Sequence, residues 1–245
     1  MSTGKTALVT GAAQGLGRAL AGALHAAGHR VALADLNLDK AKAAAAELGK
    51  GAIAVAVDVR SKPVVEAAVA ECVAALGPVE ILVNNAARTQ ARDFMAITPE
   101  EWDDVLGINL RGMVFAAQAV LPGMVAKKWG RIVNMSSVAG LRGGPQVQGA
   151  HYASSKAAII GLTRYLAYDF AKHGITVNAI APGPILTEQT ALAPPDKVAM
   201  VAAQIPVGRI GDPKDVGALV AHICSDAGGF ITGATLDISG GLVMR

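Results

Sequence analysis

A short apolar run, a glycine turn and an alanine-rich stretch open the chain, and together they limit the fold more than anything that follows. Residues 6–10 read as a buried strand. The sequence TGAAQGLG occupies 10–17, and a helix is expected from there to about residue 27. Strand, glycine turn and helix in that order are what a nucleotide-binding βα unit requires. Gly11 can make the tight turn, Gly15 lets a pyrophosphate approach the backbone, and Gly17 lets helix and strand pack closely. The helix N-terminus then offers unpaired N–H groups to phosphate. An ordinary glycine-rich βα turn has the same appearance, so the meaning of this one depends on what comes after it.

What comes after is regular alternation. Apolar strand-like runs recur at 30–35, 52–57, 81–83, 131–135, 175–180 and 235–238. Between them lie helical stretches at 40–48, 63–76, 99–127, 152–173 and 213–225. Thr98-Pro99-Glu100-Glu101 is a helix start, with a cap, proline in the first turn and acids behind it. This predicts an α/β, Rossmann-type doubly wound sheet of about seven parallel strands with helices on both faces. The 245 residues suit one such domain over 1–245, and no repeat or linker divides them. Residues 186–211, with Pro194, Pro195 and Pro206, break the alternation and read as a substrate lid.

Composition narrows the partners. At 52% hydrophobic and 17% charged the chain is a packed globular one. A net charge of +3 without any basic block argues against nucleic acid and anionic membranes. No apolar run is expected to approach the ~18 residues that span a bilayer. The N-terminal stretch carries Gln14 and Arg18, so it is read as strand and turn rather than a leader, and a cytoplasmic location is expected. Cys72 and Cys224, both in apolar helical contexts, are expected to be buried free thiols. No metal site is read from the sequence.

Binding sites on doubly wound sheets open at the carboxyl ends of the strands. Thr10-Gly11, Asp35, Asp58, Asn84, Ser137 and Pro182-Gly183 all fall there. Asp35 follows Gly17 by 18 residues, the spacing at which a carboxylate meets the adenosine ribose of NAD and repels a 2′-phosphate. Helix capping is the rival role for Asp35, but Asn37 or Asp39 suits it better. Asn84 and Asn85, beside Ala86 and Ala87, can tie a neighbouring strand or form a polar turn. Asn109 stands mid-helix between Ile108 and Leu110, where its amide is either used or solvated. Tyr152 and Lys156, four apart, share one helix face. An ammonium nearby lowers a phenol from its usual value near ~10, which suits acid–base work near neutrality.

These motifs, in this order, resemble the short-chain dehydrogenase/reductase family in its compact form, along essentially the whole chain. TGAAQGLG is similar to the family's TGxxxGxG, and Asn84-Asn85-Ala86-Ala87 to its NNAG, with Ala87 in place of the glycine. Asn109, Ser137, Tyr152 and Lys156 match its catalytic four. The resemblance implies hydride transfer between a nicotinamide and a secondary alcohol or ketone, with Tyr152 as general acid or base. It gives Lys156 the ribose and the tuning of Tyr152, Ser137 a hydrogen bond to the substrate oxygen, and Asn109 a relay water. Ser136 is the rival serine; Ser137 is preferred because it directly precedes Val138-Ala139-Gly140.

For the cofactor the resemblance implies Gly11, Gln14, Gly15, Leu16 and Gly17 at the turn, and Asp35 with Leu36 at the ribose. Asp58 and Val59 are expected at the adenine. Asn85, Ala86 and Ala87 line the site, and Pro182, Gly183, Ile185 and Thr187 close over the nicotinamide beside Tyr152 and Lys156. NAD is the expected cofactor. The substrate is a small-molecule alcohol or ketone, expected to meet Val138, Ala139, Gln146, Gln148, Leu186 and Leu192. A homotetramer is expected by analogy. The competing readings are a noncatalytic NAD-binding sensor or scaffold, a sugar-nucleotide epimerase or dehydratase (for which the chain is short), and a 3-oxoacyl-thioester reductase. The last commonly resembles NADP users, so Asp35 counts against it.

Overall fold

The computed structural model describes residues 4–143, 148–188, 190 and 194–245. Seven parallel strands form one sheet in the order β3-β2-β1-β4-β5-β6-β7. They are β1 Thr6–Thr10, β2 Arg30–Asp35, β3 Ala52–Ala56, β4 Val79–Asn84, β5 Gly130–Met135, β6 Ile175–Pro182 and β7 Thr235–Ile238. The helices are α1 Gly15–Ala26, α2 Leu38–Leu48, α3 Lys62–Leu76, α4 Pro99–Leu106, α5 Gly112–Lys127, α6 Ala139–Arg142, α7 Ala150–Phe170, α8 Pro195–Ala203 and α9 Pro213–Cys224. The chain winds outward from β1 to β3, then returns past β1 to β4 and winds the other way. The carboxyl ends of β1 and β4 therefore face a crevice that no crossover covers.

Strand periodicity explains the two layers. In β1, Ala7 and Val9 point to one face and Leu8 to the other; in β2, Val31 and Leu33 oppose Ala32 and Ala34. Both faces are apolar because helices cover both. Leu20, Ala21 and Leu24 of α1 share one core with Ala44 and Ala45 of α2 and Val216, Val220 and Ile223 of α9. On the opposite face Val65, Val69 and Cys72 of α3 pack with Ala116, Val120 and Met124 of α5 and Leu166 of α7. Both cysteines are buried and free.

Three features differ from the sequence expectation. Residues 99–127 form one continuous helix that is long and apolar enough, by length and composition, to cross a membrane. Half of its most apolar window is buried inside the fold, against α3 and β4, which accounts for its hydropathy as that of a core helix. Its middle, Gly107–Arg111, is a single π-helical turn. Lastly, the stretch after β5 expected as loop includes the short helix α6, and 186–211 carries α8. The latter segment begins and ends at one place: Ile185 bridges Gly211, Leu186 N–H donates to Gly211 O at 2.8 Å, and Gly211 N–H to Pro184 O at 3.0 Å.

Candidate active site

At the carboxyl ends of β1 to β4 lies a cleft of about 780 Å³. Gly11 and Gly15 have φ of 65° and 56°, the left-handed region that glycine alone adopts without strain. A Cβ on Gly17 would stand 2.0 Å from Gly11 O, so the helix can leave the turn this closely only without a side chain. A Cβ on Gly15 would project into open space, meeting only the Thr187 side chain at 3.8 Å. Gln14, the residue before α1, gives its first turn no side-chain cap, and the N–H groups there stay available to an anion. The residues present thus fit a dinucleotide: a glycine cradle, a helix N-terminus and a cleft of suitable size.

Side chains at the ends of β1 and β2 and just after β4 hold the cradle in shape. Asn85 Nδ2 donates to Thr10 O and Gly11 O, both at 3.0 Å. Thr10 Oγ1 accepts from Asn85 N at 3.0 Å and Ala86 N at 3.1 Å. Asp35 accepts from Ala13 N at 3.0 Å and Asn37 N at 2.9 Å, which fixes its carboxylate at the cleft wall. Asn37 is the cap of α2. Leu36 beside it is 72% exposed and brings no charge of its own. Lys40 Nζ donates to Gln14 Oε1 at 3.2 Å, and Arg18 pairs with Glu47 and, at 3.6 Å, with Glu188. Asp58 is gripped by Arg60, whose hydrogen bonds hold its carboxyl below the usual range, and Arg60 reaches on to Asp104 at 3.1 Å.

A second cavity, of about 540 Å³, shares Leu16, Asn85 and Ala87 with the cleft and continues it under β5 and β6. Ser137, Tyr152 and Lys156 line it and are all buried. Their helix is moored by polar groups. Asn84 Nδ2 donates to Asn134 Oδ1 at 2.8 Å, and Asn134 Nδ2 to Thr163 Oγ1 of α7 at 3.0 Å. Ser136 Oγ donates to the Lys156 carbonyl at 2.7 Å, so the rival serine is committed to the backbone of α7. Ser137 Oγ accepts the Ala139 N–H at 3.1 Å and, unlike Ser136, is not tied to the backbone of α7.

The electrostatics of the pair differ from expectation. Burial raises the Tyr152 phenol above its ordinary value, with Ser137 and Thr89 pulling the other way. Burial also brings the Lys156 ammonium down to about 7. Lys156 Nζ donates to Met135 O at 2.7 Å and lies 5.5 Å from the Tyr152 ring centre. Lys156 is costly to charge where it sits, and desolvation is the largest influence on the phenol, opposite in direction to the lowering expected from a nearby ammonium.

Asn109 is fully buried, so solvation is not its role. Its Nδ2 donates to Arg88 O at 3.1 Å and Ser155 Oγ at 3.0 Å, and its Oδ1 accepts from Arg88 N at 2.7 Å. Both amide hydrogens and one acceptor position of Oδ1 join the segment after β4 to α7, and the second acceptor position of Oδ1 takes no bond among the described residues.

Every residue expected at the cofactor lines one of the two cavities: Pro182, Gly183, Ile185, Tyr152 and Lys156 the second, the others the first. The substrate residues fare less evenly. Val138 and Gln148 line the second cavity. Ala139 does not; it turns into the core as the first residue of α6. Leu186 does not either, being 43% exposed just beyond the Ile185–Gly211 bridge. Gln146 and Leu192 lie outside the described residues. Reasoning from sequence missed Val198, Ile205, Leu242 and the cations Arg142 and Lys197. Val198 and Val201 recur at helical spacing, a signal that proline-rich surroundings obscured.

Comparison with known proteins agrees with this site. Residues 11–243 match the family described as enoyl-(acyl carrier protein) reductase. The chain belongs to the short-chain dehydrogenase/reductase family and is an oxidoreductase. It is 43% identical over 239 residues to acetoacetyl-CoA reductase of Rhizobium meliloti (strain 1021), covering 97% of this chain and 98% of the relative. A 3-oxoacyl-acyl-carrier-protein reductase of Vibrio cholerae is 38% identical over 241 residues, covering 98% of each. Sorbitol dehydrogenase of Cereibacter sphaeroides is 39% identical over 250 residues, covering 97% of each.

Proposed function

We propose that this protein reduces the ketone of a 3-oxoacyl thioester to the secondary alcohol, using NADH. The observation that carries the chemistry is the placement of Tyr152, Ser137 and Lys156 in a cavity continuous with the glycine-lined cleft. When bound, NADH supplies the hydride that the carbonyl carbon receives. Tyr152 gives its phenolic proton to the carbonyl oxygen, and a phenol that burial keeps protonated is suited to that direction. Ser137 Oγ–H donates to the same oxygen, where charge develops. Lys156, with a pKa of about 7, exchanges a proton readily at neutral pH and restores the phenol. Asn109 positions α7 through Ser155. Residues 186–211 act as the lid over the substrate.

Asp35 supports NAD, since a 2′-phosphate would meet its carboxylate with no cation at Leu36 to compensate. The thioester supports itself on the acetoacetyl-CoA and 3-oxoacyl reductases among the relatives, against the weight that Asp35 gave the other way in the sequence. A cytoplasmic homotetramer belongs to the same reading; the exposed Tyr165 and Tyr168 of α7 offer a face for packing.

The test follows nicotinamide absorbance with acetoacetyl-CoA and NADH or NADPH, for the native chain and Tyr152→Phe. Turnover with NADH is expected, reduced about 10²–10⁴-fold in the variant with cofactor binding retained. Turnover with NADPH alone would overturn the reading of Asp35. Undiminished turnover in Tyr152→Phe would remove the tyrosine from the chemistry, and oxidation of sorbitol without thioester reduction would replace the substrate.

A further inference from the structure

The second cavity has an order to it. Its buried end holds Ser137, Tyr152 and Lys156. Apolar side chains of intermediate or low exposure follow, among them Val138, Val198, Val201 and Ile205. At its exposed end stand Arg142, the last residue of α6, and Lys197, in the first turn of α8. No aspartate or glutamate is among the described residues that line it. Neither exposed cation makes an ion pair among the described residues, whereas Arg18, Arg60, Arg88, Arg92, Arg209 and Arg245 all do. Buried polar groups, apolar walls and two exposed cations with no acidic lining residue among those described together suit an amphiphilic, anionic ligand.

We infer that Arg142 and Lys197 are specificity-determining residues that bind a negative group carried by the substrate beyond its reacting carbonyl. The inference deepens the ketone-reductase reading and rests on it. A neutral polyol gains nothing from such a mouth. An anion does, because field lines from two cations above a low-dielectric wall concentrate it at the opening and hold it there. Both side chains are long and solvated, so the contact tolerates ligands of different length and weakens as salt screens it. The anion recognised is an oxyanion, either phosphate on a thioester carrier or carboxylate on a free oxo acid.

Two matched pairs of substrates separate these sources. Acetoacetyl-4′-phosphopantetheine and acetoacetyl-pantetheine share the reacting group and differ in one phosphate; acetoacetate and butanone differ in a carboxylate. kcat/KM is measured for all four with the native chain, Arg142→Gln, Lys197→Gln and the double variant, at low and at physiological salt. The native chain is expected to favour the anionic member of at least one pair. Each substitution should cut that preference about tenfold through KM rather than kcat, and the double variant should lose its salt dependence. The pair showing the effect identifies phosphate or carboxylate. Equal use of charged and neutral members, or a preference that both variants retain, would overturn the inference. Failure of the underlying reading looks different: turnover would then survive Tyr152→Phe, whatever the variants at the mouth do.

Discussion

The two cavities share three residues and are built by opposite means. The cofactor cleft is made of backbone: glycine positions, strand ends and a helix N-terminus, with side chains such as Asn85 and Thr10 serving mainly to hold carbonyls and N–H groups in place. The substrate cavity is made of side chains drawn from separate segments, including β5, α6, α7, α8 and Leu242 near the C-terminus. A backbone-built site accepts one ligand class and tolerates little change. A site built from side chains can keep its reacting groups while its walls are exchanged, which is how relatives of one fold can carry names as different as acetoacetyl-CoA reductase and sorbitol dehydrogenase.

Three measurements would break or sharpen that contrast. The largest effect is expected in the second cavity, from Ser137→Ala: kcat lower by about 10²–10³ with cofactor affinity unchanged, beside a stability loss of about 1–3 kcal/mol from the Ala139 N–H left without its acceptor. Ser136→Ala is its counterpart and should lower stability without the loss of kcat, because its hydroxyl only tethers the Lys156 carbonyl; thermal unfolding should show a loss of about 1–3 kcal/mol. If Ser136→Ala instead removes turnover at native stability, the assignment of the two serines is exchanged.

Gly17→Ala attacks the other cavity. With Gly11 O in the way at 2.0 Å, α1 must shift off the turn, at about 1–3 kcal/mol. NADH binding followed by fluorescence should weaken by more than tenfold in protein that still folds. Unaltered binding would mean that the cradle is not built by close approach of the backbone.

The last effect is one of pH, and it belongs to the buried end of the second cavity. Lys156 has a pKa of about 7 in the fold and near ~10.4 when unfolded, so between those values the unfolded chain holds the extra proton. Stability of the native state therefore rises with pH through that window. Relative to Lys156→Met, the native chain should gain about 1.4 kcal/mol per pH unit, roughly 2–3 kcal/mol between pH 7 and 9 in denaturant unfolding. Parallel curves for the two proteins would show that Lys156 is not carried neutral in the fold.

The same division governs what could be read from the sequence. The strand alternation, the glycine turn, Asp35 and the paired Asn84 and Asn85 were legible because each is a local pattern tied to a backbone requirement. Tyr152 and Lys156 were legible as a spacing, but their electrostatics were not: burial is a property of the whole fold, and it reversed the expected shift of the phenol. Asn109 was singled out as a mid-helix amide to be either used or solvated, and which of the two was not legible because its partner, the Arg88 backbone, lies 21 residues away. Arg142 and Lys197 carry no local signal at all. Nothing in either stretch tells that α6 and α8 will open onto one cavity.

The joint at Ile185 and Gly211 has a further consequence. A segment whose two ends are hydrogen-bonded to each other is closed before it reaches the sheet, so the free energy of changing its length grows only slowly with the residues added. Residues 186–211 are in effect a cassette whose two ends meet at one joint, loadable with other contents. Exchanging the part of the cassette beyond Thr187 and Glu188, which line the cofactor cleft, for that of a relative should transfer substrate preference while leaving the dinucleotide cradle and the sheet beneath it as they are.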